Sequence, residues 1–407
     1  MKIRPYNVVS LVISSLVGIM LMVSTPILAQ KSKPAKEDKA SASKKEVKSG
    51  FDTLAISGLK FRSIGPALTS GRISEFAVDP TNHKRYLVAA SAGGVWRTVN
   101  AGTTFEPVFD GEGSYSIGTI TIDPVHHNVV WVGSGENNNQ RSVSYGDGVY
   151  KSMDGGSTWK NLGLKNSEHI GRIIVHPKNP ETVFVAAIGP LWSAGGDRGV
   201  YRTKDGGATW EQVLKIDENT GVNDIAMDPR NPDVLYATAF QRRRHVFTYL
   251  GGGPQSTIYK STDGGTTWAK AAEGLPGSDI GRIGLAISPA NPAIIYAIVE
   301  AANGKGGFYR STNQGASWEK RGGYSSAGNY YAEIIADPID ENRIYGMDTW
   351  MQVSDDGGVT WNNVGEDFKH VDNHCLWIDP DDNEHLLAGC DGGVYETWDR
   401  AKTWHFK

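Results

Sequence analysis

Ser152-Met-Asp154-Gly-Gly156-Ser-Thr158-Trp159, Thr203-Lys-Asp205-Gly-Gly207-Ala-Thr209-Trp210, Ser261-Thr-Asp263-Gly-Gly265-Thr-Thr267-Trp268 and Ser354-Asp-Asp356-Gly-Gly358-Val-Thr360-Trp361 are four copies of one octapeptide. Three looser copies complete the set: Thr98-Val-Asn100-Ala-Gly102-Thr-Thr104-Phe105, Ser311-Thr-Asn313-Gln-Gly315-Ala-Ser317-Trp318 and Thr397-Trp-Asp399-Arg-Ala401-Lys-Thr403-Trp404. Their Asp or Asn positions recur every 43 to 58 residues. A repeat of that length, built from short strands, predicts an all-β chain folded as a seven-bladed β-propeller, one blade per copy.

Working outward from the motif, each repeat holds the same four pieces. An apolar run ends on a turn, as in Ile225-Ala-Met-Asp228-Pro229, and proline stops the strand there. A β-rich run follows, such as Val183-Phe-Val-Ala-Ala187. Next come a strand of the type Gly199-Val-Tyr201-Arg-Thr203 and one opening on the motif's Trp, such as Trp159-Lys-Asn-Leu162. We name these strands A, B, C and D; their β-branched alternation fits four-stranded antiparallel blades with the motif on the C–D turn. In that turn an Asp side chain bonds its own backbone and Gly supplies a conformation other residues resist. Asn100, Asp154, Asp205, Asp263, Asn313, Asp356 and Asp399 therefore read as structural turn residues. A Ca²⁺ loop is the alternative, but such a turn offers fewer than the six to eight or so oxygens Ca²⁺ takes.

Composition bounds the rest. The chain has 407 residues and a formal net charge of −4, which gives no reason to expect nucleic acid as a partner. Lys2 and Arg4, the apolar stretch Val8 to Val23 and the small residue Ala29 read as a signal peptide over 1–29, with an uncleaved anchor as the rival. No later segment has the length and hydropathy of a membrane span. Residues 30–57 are Lys-rich and poorly apolar, a disordered linker, and 58–407 form the propeller. The expected location is periplasmic or extracellular. Cys375 and Cys390 fall on strands A and B of the seventh repeat, equidistant from a hairpin centre near 382–383. That spacing sets them opposite one another, at the separation a disulfide needs, with two packed thiols as the alternative. Residues 59–63 are placed to pair with the short last D strand and close the ring.

Strand order fixes where function can sit. The A–B and C–D turns share one face, so the D–A and B–C loops share the other, where variable binding loops belong. The B–C loops at 134–147, 188–198 and 240–253 are long and rich in amide, Arg and aromatic groups, forming a wall over one side of the channel mouth. They contribute Arg141, Tyr145, Trp192, Arg198, Arg243, His245 and Tyr249 as candidate ligand-binding residues. The start of strand A adds Arg72, Arg172, Arg282, Tyr331 and His374. Carboxylates that could form a catalytic pair are Glu136, Asp147, Glu75, Asp224, Glu333 and Asp372; glycoside cleavage needs such a pair about 5–5.5 Å or about 6.5–9.5 Å apart. If arginines pair with those carboxylates instead, they only close the channel. No metal-ligand spacing, phosphate loop or nucleophile elbow occurs, and no cofactor is implied.

The motifs, their Tyr-Arg-Ser/Thr lead-in and the Asp-Pro turns resemble the Asp-box (BNR repeat) propeller superfamily over residues 58–407. That superfamily includes sialidases, two-propeller xyloglucanases, sortilin-type receptors and photosystem-assembly propellers. Phe61-Arg-Ser-Ile-Gly-Pro66, Ser70-Gly-Arg-Ile73 and Gly133-Ser-Gly-Glu-Asn-Asn138 look like a group of exported bacterial proteins labelled glycosyl hydrolase or sortilin-like. A monomer is expected, and because members of that group tend to carry a second propeller, one half of a longer two-propeller protein is the other possibility. A xyloglucanase of that superfamily has a catalytic Asp before strand C of the first repeat, where this chain has Ser91-Ala92-Gly93-Gly94. Two functions follow: a module that binds a polysaccharide or a peptide on the face opposite the boxes, or a glycoside hydrolase acting through another carboxylate pair.

Overall fold

The computed structural model describes residues 71–140, 143–277 and 279–407; the signal, the linker, residues 59–63 and Arg141 lie outside them. The described residues contain no helix. They form seven antiparallel sheets, each drawn from one continuous stretch, with strands A to D in order. The A strands are Ile73–Val78, Ile117–Ile122, Ile170–Val175, Thr220–Met227, Ile280–Ile287, Glu333–Ala336 and Asn373–Ile378. Each touches the A strand of the next blade, and the seventh touches the first, so the ring closes around a central channel. Outer D strands are as short as Glu106–Pro107, which limits the exposed sheet edge. Blade 4 departs from the pattern. Its B strand runs on to Leu235–Arg244 and pairs with an extra strand, Tyr249–Gly251, to form a projecting hairpin.

The turns explain the regularity. At the A–B turn, the N–H of Asp79, Asp123, His176, Asp228, Ser288, Asp337 or Asp379 donates to the carbonyl six residues on, at 2.9–3.1 Å. Every box then locks onto that turn. The N–H of Ala101, Gly155, Gly206, Gly264, Gln314, Gly357 or Arg400 donates to an A–B turn carbonyl of its own blade, at 2.7–3.1 Å. The two turns therefore share a face, as strand order predicts. Within the second box Asp154 accepts from the Ser152 hydroxyl (2.8 Å), the Thr158 N–H (2.8 Å) and the Thr158 hydroxyl (2.7 Å). The Thr158 hydroxyl leads the interactions that hold the Asp154 carboxyl down at about 2. Gly155 and Gly156 both have positive φ. Blade 7 forces Arg400 and Ala401 into the same left-handed pair, so the fold imposes the turn even where the sequence resists it.

The core is divided among the blade junctions. Seven hydrophobic clusters occur, one at each junction, such as Leu87, Ile120, Val132 and Tyr150 between blades 1 and 2. Four box tryptophans reach back to the preceding blade: the indole N–H of Trp159, Trp210, Trp318 and Trp404 donates to the carbonyl of Val108, Leu162, Ala271 and Gly365.

The expected cysteine pairing is corrected. Both thiols are free and buried. The hairpin sets Leu376 opposite Ala388 and Cys375 opposite Gly389, and a bulge at His374 then sets Cys390 opposite Asn373. Cys375 packs into the blade 7–1 cluster and Cys390 into the blade 6–7 cluster, on opposite faces of one sheet.

Candidate functional site

Irregular register in strand A shapes the channel. Blades 1, 2, 3, 4, 5 and 7 each carry a bulge near the start of that strand, just before the residue that meets the channel. The bulge re-aims side chains inward. Glu75, Arg172, Asp224 and Cys375, with Glu333 from the regular A strand of blade 6, line one channel cavity of 230 Å³. Arg172 bonds Glu75 and reaches Asp224 at 3.1 Å. Glu75 also accepts from the Thr119 hydroxyl and the Ile120 N–H. Arg282, almost wholly buried, reaches Glu333 at 3.3 Å. Burial pushes the Glu333 carboxyl up to about 7, opposed by Arg282 and Arg172 and aided by Asp224 and Glu75.

Above this ring the blade-2 B–C loop crosses the channel mouth rather than standing at its side as a wall. Glu136 pairs with Arg72 of blade 1 at 2.7 Å and accepts from Asn138 at 2.9 Å. His169 of blade 3 meets the Glu136 carbonyl at 2.8 Å. Asn137 donates to Glu333 of blade 6 at 3.1 Å, and the Asn139 N–H donates to the Asn329 carbonyl at 2.9 Å. From blade 4, Arg242 bonds the Asn138 carbonyl and the Asn139 side chain, and Arg244 bonds the Asn139 carbonyl at 2.8 and 3.0 Å. Residues 136–139 thus touch four other blades. Arg242 is fully buried and bonds only neutral groups; burial, with Arg198 next, lowers it to about 9.

The six candidate carboxylates are all engaged. Glu136, Glu75, Asp224 and Glu333 meet arginines, Asp147 accepts from the Tyr150 hydroxyl at 2.6 Å, and Asp372 accepts from the Tyr331 hydroxyl at 2.6 Å. Several candidate binding residues are likewise committed. The Arg198 guanidinium is wrapped by carbonyls of its own loop, those of Gly195, Ile188, Pro190 and Ser193. His374 meets Asp391 at 2.9 Å and stacks on Tyr331, while Arg72 covers the Tyr330 ring. Arg244 lies over the Tyr249 ring, 4.2 Å from its centre.

What remains open lies on the loops. Tyr145 and Trp192 are exposed, and so are Tyr115, Phe247, Trp350 and Phe368. All six belong to D–A or B–C loops. Phe368 is 98% exposed and held at positive φ, an arrangement that burial does not explain. Between the blade-3 loop and the blade-4 hairpin lies a recess of 250 Å³ lined by Glu218, Asn219, Gln241, Arg243, His245 and Leu250. Arg243 donates to Asn219 there at 3.1 Å. Sequence reasoning passed over Tyr115, Trp350, Phe368 and Glu218; the available signal was an aromatic ring in a polar loop with no apolar partner nearby. It also passed over Asp391, which ties His374 and Tyr330.

Among known proteins, the family model "Sortilin, neurotensin receptor 3" matches residues 147–251. The xyloglucanase of Hypocrea jecorina is 29% identical over 196 residues, covering 46% of this chain and 21% of that protein. A xyloglucanase of Acetivibrio thermocellus is 30% identical over 213 residues, covering 49% of this chain and 22% of that protein. These matches therefore take in about a fifth of each relative. In fold, the GH74 xyloglucanase of Xanthomonas campestris superposes with a TM-score of 0.62 at 16% identity, covering 84% of this chain and 55% of that one. YCF48 from Cyanidioschyzon merolae superposes with a TM-score of 0.54 at 14% identity, covering 83% and 98%. Sequence likeness and shared architecture agree: the chain is a glycoside-hydrolase-like seven-bladed β-propeller related to the xyloglucanases.

Proposed function

We propose that this chain is an exported propeller that binds a polysaccharide on the face opposite its boxes. The observation that carries the reading is the set of six exposed aromatic rings on that face, Tyr115, Tyr145, Trp192, Phe247, Trp350 and Phe368. An exposed ring offers a flat apolar surface to the C–H face of a sugar, and nearby amide and guanidinium groups supply hydrogen bonds. Asn219, Gln241 and Arg243 line a recess between the blade-3 loop and the blade-4 hairpin, the two loops that carry Trp192 and Phe247. Relatives that act on xyloglucan make a β-glucan the first ligand to try. Export is read from the charged, apolar and small residues of 1–29.

Hydrolysis is the second reading. It draws on those same relatives and on Glu333, which holds a proton near neutral pH beside Glu75 and Asp224. Against it, Asn137 sits on Glu333 and the blade-2 loop lies over the channel mouth. A screen of xyloglucan, other β-glucans and peptides, read by thermal shift and by reducing-sugar release, separates the two. Binding expects a shift with a glycan and no released sugar. Sustained release would make the chain an enzyme, and a shift with peptides alone would move the ligand class.

A further inference from the structure

The junction of blades 7 and 1 differs from the other six in what joins it. Within the described residues, no strand of one terminal blade enters the sheet of the other. Among the described residues, side chains join the first and last blades. Beside the apolar cluster at this seam stands a polar one on the box face. His385 Nδ1 lies 3.1 Å from Asp379 Oδ2, and His385 Nε2 lies 3.0 Å from Glu396 Oε1. His83 of blade 1 reaches the same Asp379 oxygen through its Nδ1, at 3.0 Å. Lys407 closes the far side of Glu396 at 2.5 Å. The Trp398 ring stacks flat on His385, with centres 3.6 Å apart and planes 4° from parallel. His385, Asp379 and Glu396 are all nearly buried. The remaining titratable groups around them are Lys84, Asp381 and Tyr86, which line the same 530 Å³ cavity.

Both imidazole nitrogens of His385 face carboxylate oxygens. A neutral ring has one N–H and would set its other lone pair against an oxygen; only the doubly protonated ring donates to both. We propose that a protonated His385 fixes the Asp379 carboxylate that His83 of blade 1 meets across the blade 7–1 seam, so that the seam is tightest in mildly acidic solution and loosens as that proton leaves. Loss of the proton removes a donor that holds Asp379 in place, and Asp379 is the carboxylate on which the cross-seam His83 rests.

Burial, the largest single influence, lowers the His385 imidazolium, but Glu396 and Asp379 together raise it above its usual value. A raised histidine stabilises the fold fully below its unfolded value of about 6.5, and that contribution is lost as pH rises through the folded value. Burial also opposes the Asp379 and Glu396 carboxylates, yet their hydrogen bonds hold both below the usual range. Their contribution is present above about 4 and lost as pH falls through the lowered values. The seam is therefore strongest between these limits.

The test uses the whole chain. Histidine NMR signals are titrated, with His385→Gln identifying the His385 resonance. The expected midpoint lies above about 6.5. Amide exchange, corrected for intrinsic rate, is then compared at pH 6 and pH 9. We expect protection of 73–78 and 373–378 to fall while 170–175 and 220–227, at the blade 3–4 junction, stay unchanged. In Glu396→Gln, which removes one carboxylate and keeps the ring, the midpoint moves down. A midpoint at or below 6.5, or equal changes at both junctions, overturns the proposal. If His385→Gln does not fold, the Glu396→Gln shift alone decides it.

Discussion

Arg172→Met tests whether the channel carboxylates are structural. The guanidinium bonds Glu75 and meets Asp224 at 3.1 Å, so its loss leaves two carboxylates facing one another across the channel. Breaking a fully buried pair costs about 3–5 kcal/mol, and an exposed one about 0–1. Arg172 is 35% exposed and its partners 18% and 11%, which places the cost between these limits, at about 2–3 kcal/mol. At about 2.1 cal/mol/K of unfolding entropy per residue, a domain of this size loses roughly 3–4 °C of melting temperature. Urea denaturation at pH 7 measures it. Adding Glu75→Gln removes one orphaned charge and recovers part of the loss. A gap below about 0.5 kcal/mol, or one that Glu75→Gln does not reduce, would refute the idea that Arg172 braces the ring.

Trp318→Ala, which removes a buried ring and its bond to Ala271, should cost about 3–5 kcal/mol. Trp268→Ala removes a partly exposed ring bonded within its own box and should cost clearly less, both by urea midpoint. Glu333 is raised to about 7, so its contribution to stability falls as pH rises from about 4.3 to 7. Glu333→Gln should flatten that part of the melting-temperature profile. Asp154 is held near 2, so its box contributes fully above about 4 and fails only as pH falls through that low value. Asp154→Ala should therefore show a constant deficit between pH 5 and pH 8 in thermal melts.

Much of the fold was legible because each blade repeats one local solution. The Asp-Pro turn, the box and the Trp sit at fixed places in every copy, so seven copies give blade number, strand order and the shared face of the turns. The channel was legible in part. Glu75, Arg172, Asp224 and Glu333 were recognisable as inward residues from their place before the A–B turn. Their pairing was not, because it depends on which blades face each other across the ring. The course of loop 134–147 was hidden for the same reason: Asn139 meets Asn329, a residue four blades on, and no local pattern encodes that contact. Cys375 and Cys390 show how little a register error must be to change chemistry. A hairpin centred on residue 382 sets Gly389, not Cys390, opposite Cys375 and leaves the two thiols on different faces.

The central claim is that function resides on the aromatic loops opposite the boxes and not on the channel carboxylates. The direct measurement is calorimetric titration of xyloglucan oligosaccharide into the parent protein, Trp192→Ala/Phe247→Ala and Glu75→Gln/Glu333→Gln, with reducing sugar assayed in each cell. The account predicts binding by the parent, at least about tenfold weaker binding by the double aromatic variant at an unchanged melting temperature, retained binding by the carboxylate variant and no sugar released. Sugar release that disappears with the carboxylates, or binding indifferent to both rings, would contradict it.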